Sequence, residues 1–129
     1  MIHVADTHAL VWFLEGSGRL SGVAREAMQS PDVEMVVPSI VLAEIVFLYG
    51  RRRIGIDLTT VLEHVSRTDN CTIYPLDETV VERLPIELDI HDAVIAATAL
   101  VFRDVLGKDV ALITKDARIR QSNIVKTVW

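Results

Sequence analysis

The sequence predicts an α/β protein with three layers, in which a central parallel sheet of four to five strands lies between helices. Two observations predict this class. Short apolar runs at residues 1–5, 34–37, 71–74 and 110–113 are typical of buried strands. Longer segments with helical patterns separate these runs. Strands that alternate with helices form βαβ units, and such units build parallel sheets with helices on both faces.

The first part of the chain predicts a strand, two helices and a second strand. The strand at residues 1–5 ends at Asp6, and the helix that follows is broken at Gly16. Ser21 is a favourable N-cap, so we expect it to begin the second helix. A turn then leads into the strand at residues 34–37.

The middle of the chain predicts two more helices before the third strand. We expect Ser39 to cap a helix over residues 40–49, because serine hydroxyls accept hydrogen bonds from free N–H groups at helix starts. Asp57 is expected to cap a helix over residues 58–67 in the same way. The strand at residues 71–74 follows.

The last part of the chain predicts a short helix, a long helix and two strands. Asp77 is expected to cap the short helix, which continues to about Leu84. The long helix is described below. After the strand at residues 110–113, a helical turn at 117–120 precedes a last strand at 124–128.

The segment DIHDAVIAATAL at residues 89–100 is the most distinctive stretch of the chain. It predicts a helix with two carboxylates at its start and an almost wholly apolar body, and a helix that is apolar on every side is buried. In the simpler interpretation, Asp89 is the N-cap and Asp92 its capping partner. In the alternative, Asp92 points into a site that it shares with other acids.

Composition limits the class of protein. The chain has 129 residues, half of them hydrophobic, which predicts one globular domain over residues 1–129. No apolar run is long enough to span a membrane. A single cysteine, Cys71, excludes an internal disulfide and is consistent with a reducing cytoplasm. The net charge of −5 argues against a protein that binds nucleic acid through general charge attraction.

Four acids fall where a parallel sheet would bring them to one edge. Asp6 ends the first strand and Asp116 follows the fourth, whereas Glu44 and Asp92 lie near the starts of helices. Ligands bind at the carboxyl ends of strands in such sheets. Glu44 has apolar neighbours at i−4, i−3, i+3 and i+4, where an unpaired carboxylate is costly. Each acid also has a simpler explanation. Asp6, Asp92 and Asp116 could be helix caps, and Glu44 could pair with an arginine or belong to a narrow polar stripe of an amphipathic helix.

Clustered carboxylates without cysteine or zinc-type histidine spacing favour a hard divalent cation, Mg²⁺ or Mn²⁺. The sequence has no phosphate-binding glycine loop and no nucleophile elbow. A cation held by carboxylates is suited to phosphoryl chemistry, because it activates water and stabilises the leaving oxygen. The hydroxyls of Thr7 and Thr114 could hydrogen-bond the acids or the attacking water.

The ordered set of motifs resembles PIN-domain ribonucleases, most closely the VapC-like toxins of bacterial type II toxin–antitoxin pairs. The resemblance covers nearly the whole chain. Each motif is weak alone, and the ordered set is specific. The matching residues are 4–10 with Trp12, 20–21, 39–44, 89–92, 95–99 and 114–116.

The resemblance implies an endoribonuclease that depends on Mg²⁺ or Mn²⁺ and cleaves single-stranded regions of RNA. It implies that four acids bind metal and that Thr114 is the hydroxyl near the site. It also implies a homodimer and a cognate antitoxin that covers the acidic pocket. We expect an exposed apolar surface near Trp12, Phe13 and Leu14 to contribute to the antitoxin groove, although these residues could equally belong to the core. The four acids are Asp6, Glu44, Asp92 and Asp116.

One departure from the family pattern concerns a basic contact. Many relatives have proline and arginine around the third acid, where this chain has Ile90 and Ala93. Other cations could contact phosphate instead, and a solvated surface is an equally good explanation for them. With Thr7, the candidate substrate-binding residues are Arg51, Arg52, Arg53, Lys115 and Arg118, and Arg120 is a further cation of this group.

Two alternatives belong to other functional classes. A receiver-like signalling domain also has a parallel sheet with an acidic, Mg²⁺-binding edge, but it needs a pair of acids after the first strand and an Asp after the third. Here Asp6 stands alone and Tyr74 and Pro75 follow the third strand, although Asp77 is close. A binding module that keeps the fold without catalysis is the second alternative.

Overall fold

A parallel sheet lies at the centre of the computed structural model, which describes residues 1–129. The strands are β1 (Ile2–Ala5), β2 (Glu34–Pro38), β3 (Cys71–Tyr74), β4 (Val110–Ile113) and β5 (Thr127–Val128). They pair in the order β3-β2-β1-β4-β5, and every pair is parallel. The predicted parallel sheet is therefore confirmed, with five strands.

Helices connect the strands and cover both faces of the sheet, which confirms the three-layer α/β/α architecture. None of them combines the length and the hydrophobicity that a membrane crossing requires. The helices are α1 (Thr7–Glu15), α2 (Gly22–Gln29), α3 (Ser39–Gly50), α4 (Leu58–Arg67), α5 (Glu78–Val81), α6 (Ile90–Asp104) and α7 (Ala117–Ser122).

The helix caps agree with the sequence at several positions and differ at one. The side chains of Ser21, Asp57 and Asp77 accept N-terminal N–H groups of α2, α4 and α5, as predicted. Ser39 is not an N-cap. It is the first residue of α3, which follows Pro38, and its hydroxyl accepts the backbone N–H of Leu76 at 2.9 Å instead.

Two elements are shorter than predicted. Helix α5 ends at Val81 and not near Leu84, because the chain tightens there into i→i+3 turns. Strand β5 begins at Thr127 and not at residue 124. Asn123 adopts a left-handed conformation that ends α7, and the hydroxyl of Ser122 accepts the N–H of Ile124, so this stretch still belongs to the helix end.

Helix α6 is the most deeply buried helix, as its sequence predicts. All ten residues from Ala93 to Phe102 are buried, and Thr98 satisfies its hydroxyl by donating to the carbonyl of Val94 at 2.8 Å. The helix packs against β1, β2 and β4, and also against α3 and α5. Its N-terminus is therefore held in a fixed place at the edge of the sheet.

The centre of the sheet is also its topological switch point. From β1 the chain first builds β2 and β3 on one side, and it then returns to place β4 and β5 on the other. Ala5 and Ile113 are register partners, and the N–H of Asp6 donates to the carbonyl of Ile113 at 3.2 Å. The residues that follow β1 and β4 are thus neighbours, at the position where such sheets bind ligands.

The strand order excludes the receiver-like alternative. Receiver domains have the flavodoxin-like order 2-1-3-4-5. This chain has the order 3-2-1-4-5, and no acid ends its third strand, which is followed by Pro75.

Candidate functional site

A cavity of about 340 Å³ opens at the carboxyl edge of the sheet, above the ends of β1 and β4. The four acids that the sequence singled out all line it, and they come from four different segments of the chain. The cavity is lined by Asp6, Thr7, His8, Trp12, Glu44, Asp92, Ile95, Lys115 and Asp116.

Asp6 and Asp116 cap helices and also line the cavity. Oδ1 of Asp6 accepts the N–H of Ala9 at 2.8 Å, and Oδ1 of Asp116 accepts the N–H of Ile119 at 3.0 Å. Capping occupies one oxygen of each carboxylate. The simpler explanation of these two residues as caps is therefore correct, and it is compatible with a role in the cavity.

Glu44 is held by a hydroxyl and lies near an imidazole. The hydroxyl of Thr7 donates to Oε1 of Glu44 at 2.9 Å, and Nδ1 of His91 lies 3.9 Å from Oε2. No arginine pairs with this carboxylate, although a salt bridge to an arginine was its simpler explanation. Thr7 is buried, so its hydroxyl holds the Glu44 carboxylate in a fixed position at the cavity wall.

Asp92 has no role as a cap partner of Asp89. The side chain of Asp89 makes no capping hydrogen bond to α6, and it contacts Arg118 at 3.3 Å instead. Asp92 lies in the first turn of α6 and lines the cavity, whereas Asp89 does not. The structure thus places Asp92 as the alternative interpretation predicts, beside the other acids.

The acids raise one another's proton affinity. Burial raises the pKa of Asp6 to about 6, although contact with the Thr114 hydroxyl and the hydrogen bond from Ala9 oppose the shift. Burial also raises the pKa of Asp92, and repulsion from Asp116 and Glu44 adds to this effect. No hydrogen bond favours the charged form of Asp92. The cavity therefore concentrates negative charge that the protein itself does not neutralise.

Thr114 is fully buried beneath the cavity. Its hydroxyl accepts the backbone N–H of Asp116 at 3.0 Å and also affects the pKa of Asp6. It does not line the cavity itself. Thr114 therefore positions two acids, one after each central strand.

Only one of the predicted cations reaches the cavity wall. Lys115 lines it together with Thr7, the other predicted substrate-binding residue that does so. Arg51 lies over the ring of Phe47 in an adjoining apolar groove that also contains Glu44. The remaining predicted cations, Arg52, Arg53, Arg118 and Arg120, are exposed and do not line the cavity.

Sequence reasoning did not assign His8, His91 or Trp12 to the site. His8 and Trp12 line the cavity, and His91 approaches Glu44. The sequence carried only a partial signal for them: His8 and Trp12 are four residues apart and so share one face of α1, but nothing local shows that this face meets the acids.

The apolar residues of α1 are less exposed than the sequence analysis proposed. Trp12, Phe13 and Leu14 are half-buried, and all three pack against the core. The interpretation as core is therefore the better one for Phe13 and Leu14. The large exposed apolar side chains of α3 are instead Val46, Phe47 and Tyr49.

The residues around the cavity are suited to a hard divalent cation. Its possible metal ligands are carboxylate oxygens, which such cations prefer. The only thiol of the chain, that of Cys71, does not line the cavity, and burial raises its pKa. No three acidic, histidine or cysteine side chains converge here as a ready-made coordination group. The carboxylates repel one another, and a cation would offset that repulsion.

The fold and the cavity define an α/β protein with an acidic site at the switch point of a parallel sheet. The family model described as "PIN domain" matches residues 4–124. The chain belongs to the PIN domain family. A comparison with curated proteins found no significant match.

Three solved structures share this fold. The first, VapBC2 from Rickettsia felis bound to a promoter DNA fragment, is 15% identical with a TM-score of 0.65, and the match covers 98% of this chain and 97% of the other. VapBC-1 from nontypeable Haemophilus influenzae is 17% identical with a TM-score of 0.64 over 98% and 96% of the two chains. A toxin–antitoxin complex from Klebsiella pneumoniae is 20% identical with a TM-score of 0.61 over 88% and 86%.

Proposed function

We propose that residues 1–129 form a single nuclease domain that hydrolyses phosphodiester bonds of RNA with Mg²⁺ or Mn²⁺. One observation carries the proposal: four acids from separate elements line one cavity at the switch point of the sheet. Membership of the PIN domain family supports it. We further propose that the protein is the toxin of a toxin–antitoxin pair, because the similar solved structures are VapBC and toxin–antitoxin complexes.

In this proposal the carboxylates of the cavity hold the cation. When bound, a divalent cation supplies positive charge for the phosphate and lowers the pKa of a water molecule. Thr7 fixes Glu44 through its 2.9 Å hydrogen bond, and Thr114 fixes the backbone of Asp116. The residues that would hold the cation are Asp6, Glu44, Asp92 and Asp116.

The rest of the cavity orients the substrate. Lys115 is the only lysine or arginine of the cavity wall, so it is the natural partner of a non-bridging phosphate oxygen. Ile95 contributes an apolar part of the same wall. The cavity thus combines four carboxylates with a single lysine.

The nuclease proposal is tested by cleavage of single-stranded RNA with Mn²⁺, with Mg²⁺ and with EDTA. We expect Asp6→Asn, Glu44→Gln and Asp92→Asn each to remove most of the activity. Asp89→Asn is the matched control, because Asp89 begins the same helix as Asp92 but does not line the cavity. Full activity of Glu44→Gln, or full activity in excess EDTA, would show that the site is assigned wrongly. A wild-type protein that binds metal without cleaving RNA would support the non-catalytic binding module.

The partner proposal concerns the antitoxin and a homodimer. Val46, Phe47 and Tyr49 leave an apolar surface exposed on α3, which supports association with another chain. We expect expression of the protein alone to slow growth of the host, and co-expression of a cognate antitoxin to relieve this effect. Asp92→Asn should be harmless in the same assay. A protein that is monomeric at micromolar concentration and harmless when overproduced contradicts the toxin proposal.

A further inference from the structure

The acidic cavity has an aromatic wall. The ring of Trp12 lines it, and Nζ of Lys115 lies 5.9 Å from the centroid of that ring. Lys115 is exposed and comes from the segment after β4, whereas Trp12 lies on α1. A flat aromatic surface and a movable cation therefore meet at the rim of the cavity, directly beside the carboxylates.

The ring of Trp12 is held in place by its neighbours. His8 packs at 5.4 Å between centroids, and Trp129 makes an edge contact at 5.8 Å. The ring is half-buried and packs against the core on its inner side. It is therefore fixed before any ligand binds, so stacking on it carries little entropic cost.

Electrostatics alone does not explain how this cavity would bind a polyanion. Its wall has four carboxylates and only one lysine, and the protein carries a net charge of −5. Phosphates contribute most of the affinity in a typical nucleic-acid complex. Here a bound divalent cation and Lys115 would offset only part of the negative charge of the four carboxylates. A contact that does not depend on charge is needed beside the site. Stacking of a base on an aromatic ring is such a contact.

We propose that Trp12 is the stacking platform for the base next to the phosphate that is cleaved, and that Lys115 leaves the ring to bind a neighbouring phosphate. The proposal rests on the proposed function and adds a specificity-determining residue to it. Only an unpaired base can turn its face to the ring. The platform therefore selects single-stranded substrate and excludes a duplex of the same sequence.

The chain has two tryptophans, which allows a direct test by fluorescence. In an Asp92→Asn background, which prevents cleavage, Trp129→Phe leaves Trp12 as the only tryptophan and keeps an aromatic ring beside it. Trp12→Leu leaves Trp129 as the only tryptophan. The probe is a single-stranded RNA of about ten nucleotides. We expect saturable quenching when Trp12 is the remaining tryptophan. In the Trp12→Leu variant we expect little quenching and affinity that is about tenfold weaker. The duplex should quench neither variant.

A second measurement avoids any change to the ring. The same RNA is prepared with one base removed at successive positions, and its binding to the Asp92→Asn protein is measured. We expect the affinity to fall at one position, or at two adjacent ones, and to stay unchanged elsewhere. Lys115→Ala should lower the slope of log affinity against log salt by about 0.7, whereas Lys108→Ala, at an exposed lysine outside the cavity, should not.

The outcomes separate this proposal from the nuclease proposal. Equal quenching of the two single-tryptophan proteins, or a uniform effect of base removal along the RNA, overturns the platform even if the protein is an active nuclease. Quenching that is specific to Trp12 supports the platform even if the wild-type protein cleaves no RNA. Trp12→Phe keeps an aromatic ring, so it should retain more affinity than Trp12→Leu if the loss comes from stacking.

Discussion

Asp6 combines a structural and an electrostatic role in one side chain. One of its oxygens caps α1, and the residue also belongs to a cavity in which burial raises its pKa to about 6. The cap favours the folded state, whereas the buried negative charge opposes it above that pKa. Asparagine caps a helix about as well as aspartate, so Asp6→Asn separates the two roles.

The pH dependence of stability tests this separation. Because burial raises the pKa of Asp6 in the folded protein from its ordinary value of 3.8 to about 6, the folded state binds more protons than the unfolded chain between these two pH values. Stability that is fully present below this window is therefore lost as the pH rises through it. In EDTA we expect Asp6→Asn to be more stable than the wild type at pH 7.5, by on the order of 1–2 kcal/mol after allowing for solvent at the cavity. The difference should vanish near pH 4. Denaturant titrations at several pH values measure it, and a difference independent of pH contradicts the assignment.

The sequence located the acids better than it located their neighbours. Asp6, Glu44, Asp92 and Asp116 stand out because a carboxylate beside a buried strand or within an apolar helix needs an explanation. Trp12 does not stand out in this way, since a tryptophan near a core is common. Its place in the cavity wall depends on the direction of α1 relative to β4, which a local pattern does not specify.

At the scale of elements, helix starts show what local sequence can and cannot predict. A capping side chain acts on an N–H two or three residues ahead, so the caps at Ser21, Asp57 and Asp77 follow from nearby residues alone. Ser39 and Asp89 have the right residue types, but tertiary partners compete for them. Ser39 accepts the N–H of Leu76, and Asp89 contacts Arg118.

Two substitutions compare a real cap with an apparent one. Asp77→Ala removes a side chain that accepts the N–H of Val80 at 3.0 Å, and we expect it to cost about 1 kcal/mol of stability. Asp89→Ala removes only an exposed contact with Arg118, so we expect a change below about 0.5 kcal/mol. It also removes one of the charges that repel Asp92, which offsets part of the loss. Denaturant unfolding of both variants measures the difference, and equal losses contradict this account of α6.

At the scale of the whole molecule, the site exists only because the sheet assembles it. The acids are contributed by the end of β1, by α3, by the start of α6 and by the segment after β4. The parallel register and the strand order bring these segments to one edge. The sequence predicts which edge of the sheet carries the acids, because the carboxyl ends of parallel strands all lie at that edge. The distances between side chains follow from packing, which the pattern of residues does not encode locally.

Because the acids meet only in the folded protein, a bound cation should stabilise the whole fold. Metal that binds the native cavity and not the unfolded chain raises the melting temperature by mass action. Asp92 is suited to test this, since burial and then repulsion from Asp116 and Glu44 raise its pKa. In EDTA at neutral pH, Asp92→Asn removes one repelling charge, so we expect it to melt higher than the wild type, by an amount on the order of 1 kcal/mol. Mn²⁺ should raise the melting temperature of the wild type and raise that of Asp92→Asn much less.

Asp89→Asn is the control for this measurement, because Asp89 also repels Asp92 but does not line the cavity. It should keep the full response to Mn²⁺. If Asp92 were only a residue of the first helical turn, its replacement by asparagine would change neither the melting temperature in EDTA nor the response to metal. Thermal melts of the three proteins, each with EDTA and with Mn²⁺, distinguish these possibilities. Equal shifts with Mn²⁺ in the wild type and in Asp92→Asn would show that Asp92 is not a metal ligand.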